Sequence, residues 1–286
     1  MSPRAWAAFA ALSVIWGIPY FFIKIALADL SPACVAWGRV TLAALVLLPL
    51  AWQRGALRGL RPRLWPIVAF AFTELVGPFF LIAFGERFIS SSLTAILMAT
   101  VPLMVVLLAP WVAPSARPSA RRLAGLGLGL LGVVALLGVD VGGQLLELLG
   151  AGCVLGGAVG YAVGPLLIQR YLAGDPPLGT VAASLTVSAL ALALPAAITA
   201  PAVMPSRTAV GAVVVLGLAC TAIALVLYLF LVAEAGASRA TIITYMNPVV
   251  AVLLGVSILG EHLGVASGVG LALVLMGSWL ATGRDA

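Results

Sequence analysis

Charged residues are scarce in this chain. Only 8% of its 286 residues are Asp, Glu, Lys or Arg, whereas 63% are hydrophobic and the mean hydropathy is +1.22. Soluble domains carry about 25% charged residues, which cover their water-facing surface. A water-soluble globular protein is therefore excluded, and we predict an integral membrane protein embedded in the lipid bilayer. The net charge of +6 lies in the predicted loops, so it indicates membrane topology rather than binding of nucleic acid.

Cysteine and histidine are also rare. The three cysteines, Cys34, Cys153 and Cys220, lie far apart within apolar runs, which is typical of small buried residues rather than of a disulfide framework. The single histidine, His262, stands in a short predicted loop, and the chain has neither an HExxH pair nor a GxSxG serine. We therefore expect no metal, no cofactor and no enzymatic activity. An intramembrane enzyme is the alternative from another functional class.

Long apolar runs dominate the chain. A membrane-spanning helix needs about 20 mostly apolar residues, and ten such segments can be counted. None of them alternates with the period of a β-strand. The first is too long for the apolar part of a signal peptide and leads into nine more, so we expect it to be retained. The predicted spans are Ala5–Ala28, Pro32–Trp52, Leu64–Phe84, Ser91–Val112, Arg122–Val139, Leu148–Tyr171, Leu178–Ala200, Thr208–Ala233, Ser238–Leu259 and Leu263–Thr282.

The second half of the chain repeats the first. Prolines, a serine and glycines recur at one nearly constant offset, which chance does not explain. We therefore predict two repeats of five helices each, at residues 1–140 and 147–284. The paired positions are Pro19 and Pro165, Ser92 and Ser238, and Pro102 and Pro248, each 146 residues apart, and Gly125 and Gly270, and Gly132 and Gly277, each 145 apart.

Basic residues are distributed unequally between the two sides of the membrane. With the N-terminus in the cytoplasm, eleven of fifteen fall on the inner side, and only Arg87 and Arg207 fall in outer loops. Lys24 and Arg39 lie within spans. This positive-inside bias predicts that both termini are cytoplasmic. The inner residues are Arg4, Arg54, Arg58, Arg61, Arg63, Arg117, Arg121, Arg122, Arg170, Arg239 and Arg284.

The number of spans in each repeat fixes the relation between the halves. Because five is odd, the second repeat must enter the membrane from the opposite side. The predicted fold is thus an all-α membrane protein of ten transmembrane helices in two inverted repeats. This plan is common among secondary transporters, which bind substrate near the membrane midplane between the repeats and work by alternating access. A channel is the rival, but no charge ring or carbonyl filter motif is visible.

Several local features occur in a recognisable order. Trp16-Gly17 precedes Ile23-Lys24 in the first span, Arg39 lies in the second, and Leu259-Gly260-Glu261 precedes the last. Together with the two five-helix halves, this order resembles the EamA-type carriers of the drug/metabolite transporter superfamily over essentially the whole chain. The first half departs from the pattern, with Ala109-Pro-Trp-Val-Ala-Pro114 in place of a second Leu-Gly-Glu. The resemblance implies a bacterial inner-membrane exporter of amino acids, aromatic ones included.

Two ionisable residues lie deep within the predicted spans, where each costs roughly 2.5–3.5 kcal/mol to insert. Glu74 has ten residues on either side in its span, and Arg39 lies about 4–5 Å from the midplane at 1.5 Å per residue. We predict that Arg39 binds a substrate carboxylate and that Glu74 binds its ammonium group or a coupling proton. A structural ion pair between them is the alternative. Their repeat counterparts, Leu185 and Cys220, are uncharged.

One face of the first span carries Gly17, Tyr20 and Lys24 at spacings of three and four residues. Tyr20 is a candidate substrate-binding residue. Lys24 lies close enough to the end of the span for its amine to reach the interface. It therefore has two interpretations, a snorkelling side chain or a residue at the entrance of the transport pathway.

Prolines interrupt the fourth and ninth spans. Pro102 and Pro248 cannot donate to the carbonyls of Met98 and Thr244, so we predict kinks or hinges that face protein or a wet cavity. The face around Pro248 is the second half's candidate for substrate binding. The alternative is ordinary packing, with threonine bonded to its own backbone. The residues of this face are Thr241, Thr244, Tyr245 and Pro248, with Asn247 at its border.

A glycine-rich run, Gly125-Leu-Gly-Leu-Gly-Leu-Leu-Gly132, lies within the fifth span. It lacks the Lys-Ser/Thr that follows in a phosphate-binding loop. Small residues spaced along a membrane helix favour close helix packing instead. We therefore predict that this run packs against another helix.

Overall fold

The computed structural model describes residues 2–112, 119–137, 144–235 and 243–282. These residues form helices joined by short connections, and no strand occurs among them. In chain order the helices are α1 (Pro3–Ala26), α2 (Pro32–Gln53), α3 (Arg61–Gly85), α4 (Ser91–Pro110), α5 (Ala120–Ala135), α6 (Leu145–Leu172), α7 (Pro177–Ile198), α8 (Arg207–Glu234), α9 (Ile243–Ser257) and α10 (Val265–Thr282).

Eight of these helices, all but α5 and α9, are long and apolar enough to cross a membrane. Their ends lie within three residues of the predicted spans. This all-helical architecture agrees with the integral membrane protein predicted from composition. The helices α5 and α9 have 16 and 15 residues, so the count of ten membrane spans stays a prediction.

Some sequence predictions concern positions outside the described ranges. They are Arg117, Arg239, Thr241 and Arg284, the span ends Val139 and Ser238, and the repeat ends at residues 140 and 284.

Helices from the two halves of the chain are interleaved. The helix α10 packs along α5, and α7 packs along α2. The C-terminal part of α3 packs on α6, while the N-terminal part of α8 packs on the C-terminal part of α1. The largest apolar cluster joins side chains of both halves, such as Ile23 and Ile96 with Val154 and Leu216. The halves therefore share one core.

Glycines bring α5 and α10 into backbone contact. A Cβ added to Gly277 would lie 2.5 Å from the amide nitrogen of Gly129 and 2.6 Å from the carbonyl oxygen of Gly125. A Cβ on Gly132 would lie 2.9 Å from the carbonyl oxygen of Gly270. Side chains larger than hydrogen would push the helices apart. The helix packing predicted from the glycine run is confirmed.

Helices α1 and α4 are broken in the middle. The first consists of Pro3–Ile15 and Pro19–Ala26, and the other consists of Ser91–Met98 and a later segment that begins at Val101. A proline stands at the first or second residue of each later segment, where its missing N–H costs nothing. Pro165, which in the second half of the chain corresponds to Pro19, lies instead within a continuous α-helix. The two halves of the chain thus differ in this respect.

Side-chain hydroxyls donate hydrogen bonds to backbone carbonyls at the break in α4. The hydroxyl of Ser278, on α10, donates to the carbonyl of Ala99 at 3.1 Å. The hydroxyl of Thr100 donates to the carbonyl of Leu97 at 2.6 Å. Residues 91–100 are all buried. The kink next to Pro102 therefore faces protein, as the need to satisfy backbone carbonyls in a membrane requires.

Candidate substrate site

Two π-helical turns occupy matching places in the two halves. They are Ala71–Val76 in α3 and Leu218–Ile223 in α8, 147 residues apart. A π turn inserts one extra residue into an α-helix and often occurs at functional sites. Glu74 lies in the first turn, and Thr221 lies in the second. Each half therefore contributes a residue from an irregular helical turn to one region in the middle of the helix bundle, which we call the centre.

Arg39 is buried at this centre, with 8% of its surface exposed. Its Nε donates to the Thr221 hydroxyl at 2.8 Å, and that hydroxyl donates to the carbonyl of Leu216 at 2.8 Å. The guanidinium carbon lies 3.8 Å from the centre of the Phe79 ring, a close cation–π contact. Thr221 was not among the predicted site residues. Arg39 thereby links α2 of the first half to α8 of the second.

Glu74 is half-buried and also faces the other half. Its Oε2 is buried without a hydrogen-bond partner among the described residues. It packs directly against Gly164 of α6, where a Cβ would overlap this oxygen. Within the described part of the chain, Glu74 forms no ion pair with Arg39, so the structural ion pair raised as an alternative is not formed. The centre therefore holds a cation and a carboxyl group that are not paired with one another.

Aromatic side chains line the same region. The rings of Phe79 and Tyr161 meet edge to face, with centroids 6.4 Å apart. Tyr161 lies within electrostatic range of Arg39, Tyr20 and Glu74. The structure thus brings the predicted residues Tyr20, Arg39 and Glu74 to one region. It adds the phenol of Tyr161 to them.

The predicted substrate-binding residues on α9 contact two different neighbouring helices. The Tyr245 hydroxyl pairs with the Thr282 hydroxyl at 2.7 Å, at the end of α10. The Oδ1 of Asn247 is buried without a partner in the described residues, and its backbone carbonyl lies against Gly17, at the break in α1. Thr244 is half-buried on the same helix, and Pro248 is buried inside it. Neither contact involves Arg39 or Glu74.

Lys24 is anchored at the C-terminal end of α3. Its amine donates to the backbone carbonyls of Glu86 at 2.6 Å and of Ile89 at 2.9 Å. Carbonyls at a helix C-terminus lack helical partners and attract cations. The amine is therefore bound to protein rather than extended into solvent. The entrance role of Lys24 stays a prediction.

Glu261 caps the start of α4 from the connection between α9 and α10. Its carboxylate accepts four hydrogen bonds, from the amide and hydroxyl of Ser91, both at 2.8 Å, and from those of Ser92, at 3.0 and 2.5 Å. Burial raises the pKa of Glu261, but these bonds outweigh it and hold the pKa below its usual value. Gly255 leaves room for the arrangement, since a Cβ there would overlap the carboxylate. From the sequence, Glu261 was recognised only as part of the Leu259-Gly260-Glu261 feature, and its contact with the start of α4 was not predicted.

A helical membrane bundle with opposite charges and aromatic rings buried between its halves is typical of transport proteins. The chain belongs to the EamA-like transporter family, whose model matches residues 4–138 and again residues 148–283. This confirms the resemblance to the drug/metabolite transporter superfamily.

Comparisons with individual proteins agree with this family assignment. The chain is 29% identical over 281 residues to the "uncharacterized inner membrane transporter YedA" of Escherichia coli K12, covering 95% of this chain and 88% of the relative. The YedA proteins of E. coli O6:H1 strain CFT073 and of E. coli O157:H7 match equally. A crystal structure of another protein aligns over 98% of both chains with a TM-score of 0.69 and 24% identity. It establishes the fold over nearly the whole chain.

Proposed function

We propose that the protein is a secondary transporter of the bacterial inner membrane that exports small metabolites, amino acids with hydrophobic or aromatic side chains among them. Membership of a transporter family supports the general function, and the YedA relatives carry the name of an inner membrane transporter. The choice of amino acids as substrate is supported by the chemistry of the central site.

We also propose ten transmembrane helices in two inverted repeats, at residues 1–140 and 147–284. The two family matches support this division. The helix contacts support it as well, because exchanging the halves converts the contact of α3 with α6 into that of α8 with α1. The same exchange maps the pairs α5–α10 and α2–α7 onto themselves.

The arrangement has a proposed direction in the membrane. The positive-inside bias supports cytoplasmic termini, so the connections that contain Glu86 and Glu261 face outwards. We call the part formed by Lys24, the stretch Glu86–Ser92 and Glu261 the outer end. Its contacts tie α1, the start of α4 and the α9–α10 connection together. We propose that these contacts hold the outer end closed.

The choice of an amino acid as substrate rests on one observation: Arg39 and Glu74 form no ion pair with each other. An amino acid is a zwitterion and loses water around both charges when it enters the membrane. Within the described residues Arg39 commits only Nε to a hydrogen bond, so its terminal nitrogens can receive a carboxylate. Glu74 has a buried oxygen without a partner, which can accept from an ammonium group or hold a coupling proton.

The surroundings suit an apolar side chain. Tyr20, Phe79 and Tyr161 supply aromatic surface beside the two charges, and such rings favour apolar or aromatic groups. On α9 we propose Thr244, Tyr245 and Asn247 as further substrate-binding residues. The unpartnered Oδ1 of Asn247 supports its part in this.

The difference between the repeats suggests how the site changes sides. The helix of Pro102 is broken, whereas Pro248 lies in a continuous helix. In inverted repeats, alternating access rocks one half against the other around a fixed site. We propose that both prolines act as hinges and that Lys24 lies at the entrance. Replacing either proline with Ala should then lower transport without lowering membrane expression.

Export is tested by loading cells with amino acids and measuring their release with and without the protein. We expect faster release of hydrophobic or aromatic amino acids from the expressing cells. Arg39→Ala and Glu74→Gln should return release to the background. Arg54→Ala, at the exposed end of α2, and Glu147→Gln, at the start of α6, are the matched controls and should keep activity. Equal release by cells with and without the protein, across the amino acids, would rule out this substrate class.

A further inference from the structure

Glu86 follows the last residue of α3 and is the most buried acidic side chain among the described residues. None of its surface is exposed, and neither carboxyl oxygen has a hydrogen-bond partner in the described part of the chain. The neighbouring amine of Lys24 binds the backbone carbonyl of Glu86 rather than its carboxyl group. A charged carboxylate without partners is strongly unfavourable in such a site.

The charged and titratable groups that face Glu86 come from α1, α2 and the α9–α10 connection. Burial is the largest influence and raises the pKa of Glu86 well above its usual range. Lys24 on α1 and Arg39 on α2 oppose this, whereas the charge of Glu261 adds to it. The phenol of Tyr20, also on α1, lies within electrostatic range. The C-terminal position on α3 disfavours negative charge as well.

The same stretch is held at both of its ends. Lys24 binds the carbonyls of Glu86 and Ile89, and Glu261 binds Ser91 and Ser92. One anchor comes from the first half and the other from the second. These contacts hold the stretch in place beside the fully buried Glu86 side chain. Opening that end would have to release at least one of them and admit water to the carboxyl group.

We propose that Glu86 is a proton-binding site of the outer end, distinct from the carboxyl group of Glu74. The proposal rests on the alternating-access function proposed above. When the outer end is open, the carboxylate exchanges a proton with water. Closure buries the carboxyl group in its neutral form, so protonation and closure favour one another. Glu86 lies twelve positions after Glu74, about 18 Å along the helix axis.

Thiol labelling measures this linkage without any substrate. Ala26 is fully buried in the same apolar cluster as Ile89 and Leu93, so Ala26→Cys reports opening of the outer end. The three native cysteines are first replaced. The purified protein in nanodiscs, open to water on both sides, is then treated with a water-soluble maleimide across a range of pH. Met204→Cys, at a side chain that is 93% exposed, corrects for the reactivity of the thiol itself.

We expect corrected labelling to be slow at low pH and to rise by up to about tenfold per pH unit above the pKa that Glu86 has in the open state. It should level off above the raised pKa of the closed state, as one linked proton requires. With Glu86→Gln added, labelling should stay slow at every pH. Glu147→Gln, at the start of α6, is the matched control and should keep the wild-type dependence. Leu93→Cys is a second reporter and should behave in the same way.

A pH profile that is unchanged by Glu86→Gln would overturn the proposal, as would fast labelling of that variant at low pH. Failure of Glu86→Gln to fold would also contradict it, because glutamine is the neutral and nearly isosteric replacement. The result is independent of the substrate. If the labelling depends on pH as expected but the protein exports no amino acid, the proposed substrate is refuted and the proton site still stands.

Discussion

Removing the carboxylate of Glu261 should destabilise the junction between the two halves. Glu261→Ala leaves the backbone amides of Ser91 and Ser92 without acceptors, at about 1–3 kcal/mol for each buried donor. It also removes a negative charge from the start of α4, worth about 0.3–1 kcal/mol. The serine hydroxyls can rotate to other acceptors. Because Glu261 is half-buried and water can partly replace it, we expect a total loss of about 2–4 kcal/mol.

Thermal unfolding of the purified protein in detergent measures this loss. Glu261→Ala should lower the Tm by roughly 5–10 °C, at 2–4 °C per kcal/mol for a chain somewhat smaller than this one. Glu261→Gln keeps one acceptor oxygen and should lose about half as much. His262→Ala changes the exposed neighbour and is the matched control. A Tm for Glu261→Ala equal to that of the control would refute the reasoning.

The contribution of Glu261 should also depend on pH. Its folded-state pKa is depressed, so the ionised carboxylate stabilises the protein fully above its unfolded pKa of about 4.3. This stabilisation is lost as the pH falls through the folded pKa. The difference in Tm between the wild type and Glu261→Gln should therefore be constant near neutral pH and shrink below about pH 4. A difference that grows on acidification would contradict the assigned hydrogen bonds.

Two further predictions concern packing and topology. Gly277→Ala should cost about 1–3 kcal/mol because its Cβ overlaps the backbone of α5, whereas Gly268→Ala on the same helix meets nothing within 4 Å and should be neutral or stabilising. Thermal unfolding compares the two, and equal Tm values would contradict the close contact of α5 with α10. In intact cells, a cysteine at Arg207 should react with an impermeant thiol reagent added outside, and one at Arg58 should not. The reverse pattern would overturn the orientation.

The sequence predicted the helices and one helix contact well, for physical reasons. Apolar runs of about 20 residues have few alternatives in a membrane, so their ends could be placed closely. The glycines of α5 recur in α10, and this repetition indicated small-residue packing. The break before Pro102 followed from the missing amide of proline. These features depend on local chemistry or on the repeat.

Contacts between distant helices could not be read in the same way. Arg39 bonds to Thr221, 182 residues away, and no local pattern singles out that threonine. Glu86 stands just past the end of a predicted span and resembled a loop residue, although it is fully buried. Its signal was the scarcity of acidic residues, since only nine occur in the chain.

We propose that Arg39 and Glu74 bind the two charges of the substrate. It is tested most directly in proteoliposomes, by comparing counterflow exchange of the exported amino acid with export driven by a proton gradient. Arg39→Ala should lower both activities by at least about tenfold, as expected for the loss of a charged hydrogen-bond donor. If Glu74 binds the ammonium group, Glu74→Gln should weaken both. If Glu74 carries the coupling proton, the variant should lose gradient-driven export and keep counterflow. Wild-type rates in both assays for both variants would contradict the central site.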